Sequence, residues 1–225
     1  MEKFVSIAID GPAAAGKSTV AKKVAKALGF TYIDTGAMYR AVTYAVIKAG
    51  KDPKNEEDAK EILKTIEIDL TPDGKVICNS EDVTKAIRKT DVSGNVSYIA
   101  AMKPVRLALI DMQRSLAKKE SVVMDGRDIG SYVLPDAEVK IFQIASAEIR
   151  AKRRYEEDQE KGIAATYEEV LAEVQKRDYI DSHRDFDPLM PAEDSINLDT
   201  SNMSISEVVN AILNIVKEKT GLEAK

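Results

Sequence analysis

The sequence predicts an α/β protein, a parallel sheet covered by helices, and three observations carry that reading. Strand, glycine-rich turn, helix, strand and helix succeed one another within the first fifty residues, which is the βαβα order. Two later runs, SVVMDG and EVKIFQIA, are continuously apolar, as central parallel strands are. Amphipathic segments opened by capping boxes lie between the strands. The chain has 225 residues, 44% apolar and 32% charged, which is long enough to bury a real core.

Phe4 to Asp10, FVSIAID, is β-branched and apolar and reads as a buried strand. Gly11 to Gly16 is small and flexible, and a helix follows from Lys17 to Leu28 with Val20, Val24 and Leu28 on one face and Gly29 as its stop. FTYID is the second strand, and the next helix runs from Gly36 to Ala49. The register then changes. Lys51 to Asp69 is charge-rich, and IEIDL and KVICN flank a TPDG turn, which predicts a small inserted hairpin. EDVTKAIRK reads as helical, and a long helix spans Val96 to Lys119, with Pro104 either kinking it or marking its start. After the two apolar strands, Ser146 caps a helix carrying Arg150, Arg153 and Arg154, and the charged segment EEDQEKGIAAT follows. Thr166 and Glu169 form a capping box for a helix reaching Arg184. SINLDT is the last strand, and Ser204 to Lys219 the last helix, opened by a second box with Glu207.

Composition removes several chemistries. One Cys and one His exclude a zinc cluster and an intramolecular disulfide, and any Ser–His or Cys–His pair would have to use His183. Cys78 reads as a small hydrophobe and His183 as a surface or packing residue. With 33 basic against 38 acidic side chains, the net charge of −5 argues against a nucleic-acid binder. No apolar run approaches the roughly 20 residues of a membrane span, and no targeting segment is visible. A cytoplasmic location is the expectation.

The strongest local signal is GPAAAGKS, which fits G-x-x-x-x-G-K-[ST] between a strand and a helix. Gly11, Pro12, Ala13, Ala14, Ala15 and Gly16 form a loop whose backbone N–H groups can turn inward around an anion, and Thr19 follows it into the helix. Lys17 brings a full charge to the outer phosphates, and Ser18 places a hydroxyl where magnesium sits. A lysine at a helix start opposes the helix dipole, and a bound anion explains it. Residues 1–50 hold 7 basic and 3 acidic side chains, so the acidic whole has a basic corner. The guanine-reading motif, the protein-kinase motifs and the dinucleotide fingerprint are missing. DVSG, Asp91 to Gly94, matches the D-x-x-G form of a nucleotide switch only weakly. A small-molecule kinase therefore leads over a switch or motor ATPase.

Three further clusters suit a second anionic ligand. DTGAMYR (Asp34 to Arg40) and DGRD (Asp125 to Asp128) end predicted strands and so reach the same carboxyl-end rim as the loop. In RDYIDSHR, Arg177, Asp181 and Arg184 fall on one helix face. Each has a plainer reading alone: a surface salt bridge for Arg177 and Asp181, packing for Tyr39, a solvent-exposed Arg40, a turn cap for Asp125. Together they supply the planar cations that a phosphoryl group needs. Arg153 and Arg154, beside a glycine-containing charged loop, suit a mobile cover that excludes water.

IDGPAAAGKST, YIDTGAMYRA, VVMDGRDIG and RDYIDSHR, in that order and spacing, resemble the bacterial cytidylate kinases over essentially the whole chain. The resemblance implies a five-stranded parallel sheet, a monophosphate-binding lobe with an insertion, a short lid, and ATP-dependent phosphorylation of CMP and dCMP with magnesium by a monomer. It implies core segments at 1–35, 106–154 and 169–225, the lobe at 36–105 and the lid at 155–168. Lys17, Ser18 and Arg153 fall to the donor side by that resemblance. Thr35, Tyr39, Arg40, Arg106, Asp125, Arg127, Asp128, Arg177, Asp181 and Arg184 fall to the acceptor. Lys17, Arg127, Arg177, Asp181 and Arg184 are the expected catalytic set. Ser131, Tyr132 and Ile180 depart from the family pattern, with Tyr132 expected to add bulk near the pocket rim. Other acceptors, UMP, AMP or shikimate, stay open from the residues alone.

Overall fold

The structure is a computed structural model that describes residues 4–71, 74–160 and 162–224. In chain order the strands are β1 (Ser6–Asp10), β2 (Thr31–Asp34), β3 (Ile68–Leu70), β4 (Val76–Cys78), β5 (Glu81–Asp82), β6 (Val122–Gly126), β7 (Val139–Ile144) and β8 (Ile196–Asp199). The helices are α1 (Lys17–Leu28), α2 (Thr35–Lys48), α3 (Glu56–Leu63), α4 (Thr90–Ala101), α5 (Lys103–Ala117), α6 (Ala147–Glu160), α7 (Tyr167–His183) and α8 (Ile205–Thr220). Five strands form one parallel sheet in the order β2-β6-β1-β7-β8. The antiparallel β3-β4-β5 form a separate small sheet.

The alternation of side chains along β1 sorts the core. Ile7 and Ile9 point to one face, where Val20, Val24 and Leu28 of α1 and Val208, Ile212 and Val216 of α8 cover them. Ala8 points to the other, with Ile33, Met124 and Ile110 of α5. Each such fully buried aliphatic side chain contributes about 1.5–3 kcal/mol. In a separate core cluster, Met38, Val42 and Val46 of α2 meet Val96 and Ile99 of α4 and Val105 and Leu109 of α5. Helix boundaries follow their caps: Gly29 and Gly221 end α1 and α8 in the left-handed conformation, and both predicted capping boxes, at Thr166 and Ser204, are formed. No helix among the described residues is long and apolar enough to cross a membrane.

Four expectations need correction or closer definition. The long helix is two, because Met102 is extended and Pro104 sits in the first turn of α5, where its missing N–H is no loss. EDVTKAIRK is not a helix: Glu81 and Asp82 form β5, and only Ala86–Arg88 makes a 3-10 turn. The Asp82 carboxylate accepts from Thr84 N and Oγ1, and Thr84 Oγ1 accepts from Val76 N, a local bonding pattern that competes with helix formation. The charged EEDQE run is the last turns of α6, held by the i,i+4 pair Arg154–Asp158. The TPDG turn is bounded by a Gly74 N–H donated to the Thr71 carbonyl, but Pro72 and Asp73 lie outside the described residues.

The end of β1 is packed too tightly for a side chain. Gly11 has φ 148°, and a Cβ there would stand 2.1 Å from the Gln143 carbonyl oxygen of β7. Gly11→Ala must therefore displace backbone, and urea unfolding should show a loss of about 3 kcal/mol or more.

Candidate active site

All the strands of the main sheet run parallel, so β1, β2 and β6 deliver their carboxyl ends to one rim, and the site is built there. The loop from Gly11 to Gly16 joins β1 to α1. Its shape is fixed from several sides. Gln143 Nε2 donates to the Ala15 carbonyl, Arg150 Nη1 to the Ala13 carbonyl at 2.8 Å, and Ala13 N donates to Asp178 Oδ1 at 3.0 Å. Arg150 and Asp178 are themselves paired at 2.7 Å. Ala14 and Gly16 have positive φ, and no side chain caps α1, which leaves its first amides to a ligand. Lys17 Nζ donates to the Pro12 carbonyl at 2.7 Å. Burial and the neighbouring Arg127 guanidinium push the Lys17 ammonium well below its ordinary pKa, an unfavourable state that a polyanion in the loop would reverse.

Register does the next step. Asp34 of β2 lies beside Asp125 of β6. Asp34 caps α2 by accepting from Ala37 N at 2.8 Å, and it pairs with Arg88 at 2.6 Å. Asp125 accepts from Ser18 Oγ and from the Tyr32 hydroxyl, each at 2.7 Å, and its carbonyl accepts from Thr35 Oγ1 at 2.6 Å. Burial, and then the nearby Asp34, push the Asp125 carboxyl up to about 6.

Beyond the rim, residues of α4, α5, α6 and α7 complete the lining of a cleft of about 350 Å³. Arg106 of α5, wholly buried, pairs with Asp128, which also lies 3.5 Å from Arg184. Arg127 Nε donates to Asp181 at 2.8 Å. Burial raises Asp181, but Arg127 and Arg177 outweigh it and hold the carboxyl below its usual range. Arg40 donates to Ser93 Oγ at 2.7 Å and has no carboxylate partner among the described residues. Burial, and then the Arg177 and Arg88 charges, bring its guanidinium down to about 9. Arg177 is lowered by burial and Arg127, and its Nε is buried with no partner. Eight cationic side chains line the cleft against six carboxylates, so the acidic chain has a positive site.

The cleft gathers most residues marked in the sequence: Ala14 to Thr19 from the loop, Thr35, Tyr39 and Arg40 from α2, Arg106, and Asp125, Arg127, Asp128, Arg177, Asp181 and Arg184. Gly11, Pro12 and Ala13 form the loop's base and do not line it. Arg153 departs from expectation: its Nη2 donates to the Thr200 and Ser201 carbonyls, 2.6 and 3.3 Å away, and Arg154 faces the cleft instead. Tyr132 does not reach the rim; its ring packs edge-on against Phe186 and under Arg114. DVSG lies within α4, so it has no strand-end loop of the kind a switch motif needs. His183 stacks on Tyr179 at the surface, and Cys78 is buried in β4. Sequence reading missed Arg88, Ser93, Ser97, Glu157 and Glu173. Ser93, Ser97 and Ala100 share the i, i+4, i+7 face of α4, a stripe of small residues visible in the sequence once α4 is recognised.

A model of the cytidylate kinase family matches residues 7–218. The chain belongs to that family. It is 54% identical to the cytidylate kinase of Bacillus velezensis over 98% of this chain and 100% of that one. It is 53% identical to that of Anoxybacillus flavithermus, over 97% and 99%. Among solved structures, an uncharacterized protein from Eubacterium ventriosum matches with TM-score 0.53 and 16% identity, covering 96% of this chain and 99% of that one. Shikimate kinase from Acinetobacter baumannii in complex with shikimate matches at 0.50 and 14%, covering 97% and 96%. These two likenesses show the fold alone.

For a cytidylate kinase family member the question of a metal follows. No trio of acidic, His or Cys side chains among the described residues could hold one unaided. Ser18 Oγ and the Asp125 carboxylate, 2.7 Å apart, are hard oxygen donors of the kind magnesium takes, and they are the residues that would hold it.

Asp10 anchors the floor of the site: its carboxylate accepts from Ile129 N at 2.8 Å and Gly130 N at 2.7 Å. Burial nonetheless raises it from 3.8 to about 7. A carboxyl raised in the folded state stabilises most below the unfolded value, and that contribution is lost as pH rises through the folded value. Between about pH 4 and 7 the chain should lose a few kcal/mol from this group, and Asp10→Asn should flatten the loss in urea titrations across that range.

Proposed function

We propose that the cleft transfers the terminal phosphoryl group of ATP to CMP or dCMP, giving ADP and CDP or dCDP. The observation that carries it is the crowding of Arg40 and Arg177, buried beside like charges with no paired carboxylate among the described residues, in the cleft that the phosphate loop also lines. Such an arrangement is stable only when an anion joins it, and a second phosphate facing the first is the anion a monophosphate acceptor brings.

The acceptor's phosphate oxygen is already anionic near neutral pH, so no general base is required, in keeping with a single surface histidine. That oxygen forms the new bond to the terminal phosphorus while the bond to the ADP oxygen breaks in line, with charge spread over the three equatorial oxygens. Lys17 and the free amides of α1 hold the donor phosphates, and Arg127, Arg177 and Arg184 surround the group in transfer. Asp181 keeps Arg127 aimed through its 2.8 Å bond. Ser18 and Asp125 are the residues that would hold magnesium, which when bound neutralises phosphate charge.

Acceptor selection falls to Arg106 and Asp128, a buried pair that lines the cleft. Cytosine offers an amino donor beside ring acceptors, which matches a carboxylate beside a guanidinium. Uracil would set a carbonyl oxygen against Asp128. Thr35, Tyr39 and Arg40 belong to the acceptor side in this reading. The lobe 36–105 and the lid 155–168 close over the bound pair and exclude water, without which the enzyme would hydrolyse ATP. The same reading includes a monomeric, cytoplasmic enzyme, as the family likeness suggests.

An acceptor panel with ATP should turn over CMP and dCMP much faster than UMP, AMP or GMP; a preference for AMP would refute the specificity. Lys17→Ala should lower kcat/KM by at least about 100-fold, the scale of one removed charge-stabilising donor, while the thermal melt stays within a few degrees.

A further inference from the structure

Arg106 has no solvent exposure, and its charge is met by more than Asp128. Nη1 donates to the Ala100 carbonyl at 3.3 Å, Nη2 donates to Asp128 Oδ2, and Nε has no partner. A second carboxylate stands at the same guanidinium: Asp187 Oδ2 is 3.5 Å from Nη2 and makes no hydrogen bond. Asp187 does not line the cleft, so any effect it has on a ligand passes through Arg106.

Its placement is built by the segment after α7. Asp187 has φ 48°, the left-handed region that few residues other than glycine, Asn and Asp adopt readily. Its carbonyl accepts from Arg184 Nε at 2.5 Å, and Leu189 N donates to the Asp181 carbonyl at 2.8 Å. One residue thus offers its carbonyl to Arg184 and its carboxylate to Arg106. The rings of Tyr39 and Phe186 lie 5.8 and 5.9 Å from Arg106 Cζ and confine the guanidinium further.

Asp128 is drawn on by two guanidiniums at once, Arg106 through Oδ2 and Arg184, 3.5 Å from Oδ1. Each of these charges draws electron density from Asp128 and weakens the lone pairs it has left for a ligand's amino group. We infer that Asp187 is a positioning residue for acceptor selectivity: it shares the charge of Arg106, so that Asp128 keeps acceptor capacity for the amino group of cytosine. This deepens the proposed function and rests on Arg106 and Asp128 being the pair that faces the base. Without Asp187, Asp128 alone meets the charge of Arg106, and its remaining lone pairs hold the amino group of CMP less strongly. UMP, which brings no amino group to that place, keeps its rate.

Asp187→Asn preserves size and suits the left-handed backbone while removing the charge. Steady-state kinetics with CMP and UMP, and calorimetric binding of each without ATP, read the outcome. KM for CMP should rise about tenfold with kcat within about twofold, and the CMP-to-UMP ratio of kcat/KM should fall about tenfold, the scale of one hydrogen bond to a charged group. In an Arg106→Met background the same substitution should change the ratio no further. Asp187→Ser, run in parallel with thermal melts of both, supplies a second folded variant. An unchanged ratio in either folded variant, an equal loss for CMP and UMP, or an effect that persists without Arg106 overturns the inference. A parent enzyme that prefers AMP overturns the base reading beneath it, and that result is visible before any variant is made.

Discussion

Burying a cation costs several kcal/mol unless an anion meets it, and the cleft collects eight cations around too few carboxylates to satisfy them all. Much of the rest of the molecule can be read as support for that unfavourable arrangement. Arg106 is held by Asp128 and Asp187, Arg127 by Asp181, Arg88 by Asp34, and Arg150 by Asp178. Arg40 and Arg177 have no such partner among the described residues, and both guanidiniums are pushed below their ordinary range by burial and by other arginines. Free energy stored as repulsion in the free protein is released when phosphates enter, so part of the binding energy is prepared in the fold.

Holding like charges together requires a scaffold that does not relax. The parallel sheet supplies it, because adjacent strands fix Asp34 beside Asp125 and bring the end of β1 against β7. Gly11 marks how close that approach is. The loop's amides cannot turn away from a ligand, since Gln143, Arg150 and Asp178 hold its backbone from behind. Interior packing resists strain in a way that a surface loop would not. The anion site thereby inherits the rigidity of the sheet.

The sequence made the sheet and the loop legible because their signals are local: a continuous apolar strand, a glycine turn and an amphipathic helix each state their own geometry. Asp34, Asp125 and Arg127 could be placed on the rim because a parallel strand has only one carboxyl end. The inserted segment was misread for the opposite reason. EDVTKAIRK has helical composition, and only the Asp82–Thr84–Val76 bonding decides against a helix. Arg153 and Arg154 are neighbours with equal chemistry, and which of them faces the cleft depends on where Thr200 presents its carbonyl, nearly fifty residues away. Asp187 is hidden for the same kind of reason. Its partner Arg106 lies on α5, and nothing in RDFDPL says that the two meet.

The carboxylates of the cleft also explain why a positive site need not be promiscuous. A pocket of arginines alone would hold any polyanion. Here most guanidiniums are already directed by an Asp, which limits the angles at which each can donate, and of those lining the cleft only Arg40 and Arg177 have no paired carboxylate among the described residues. Free cations set where phosphates go, because attraction to a phosphate is strong and weakly directional. Paired cations set what else is tolerated, because a ligand must fit donors whose orientation has been fixed beforehand. In this protein both kinds line one cleft. Under the proposed function phosphate binding and acceptor choice are therefore separable, the first resting on Lys17, Arg40 and Arg177 and the second on the buried cluster around Arg106.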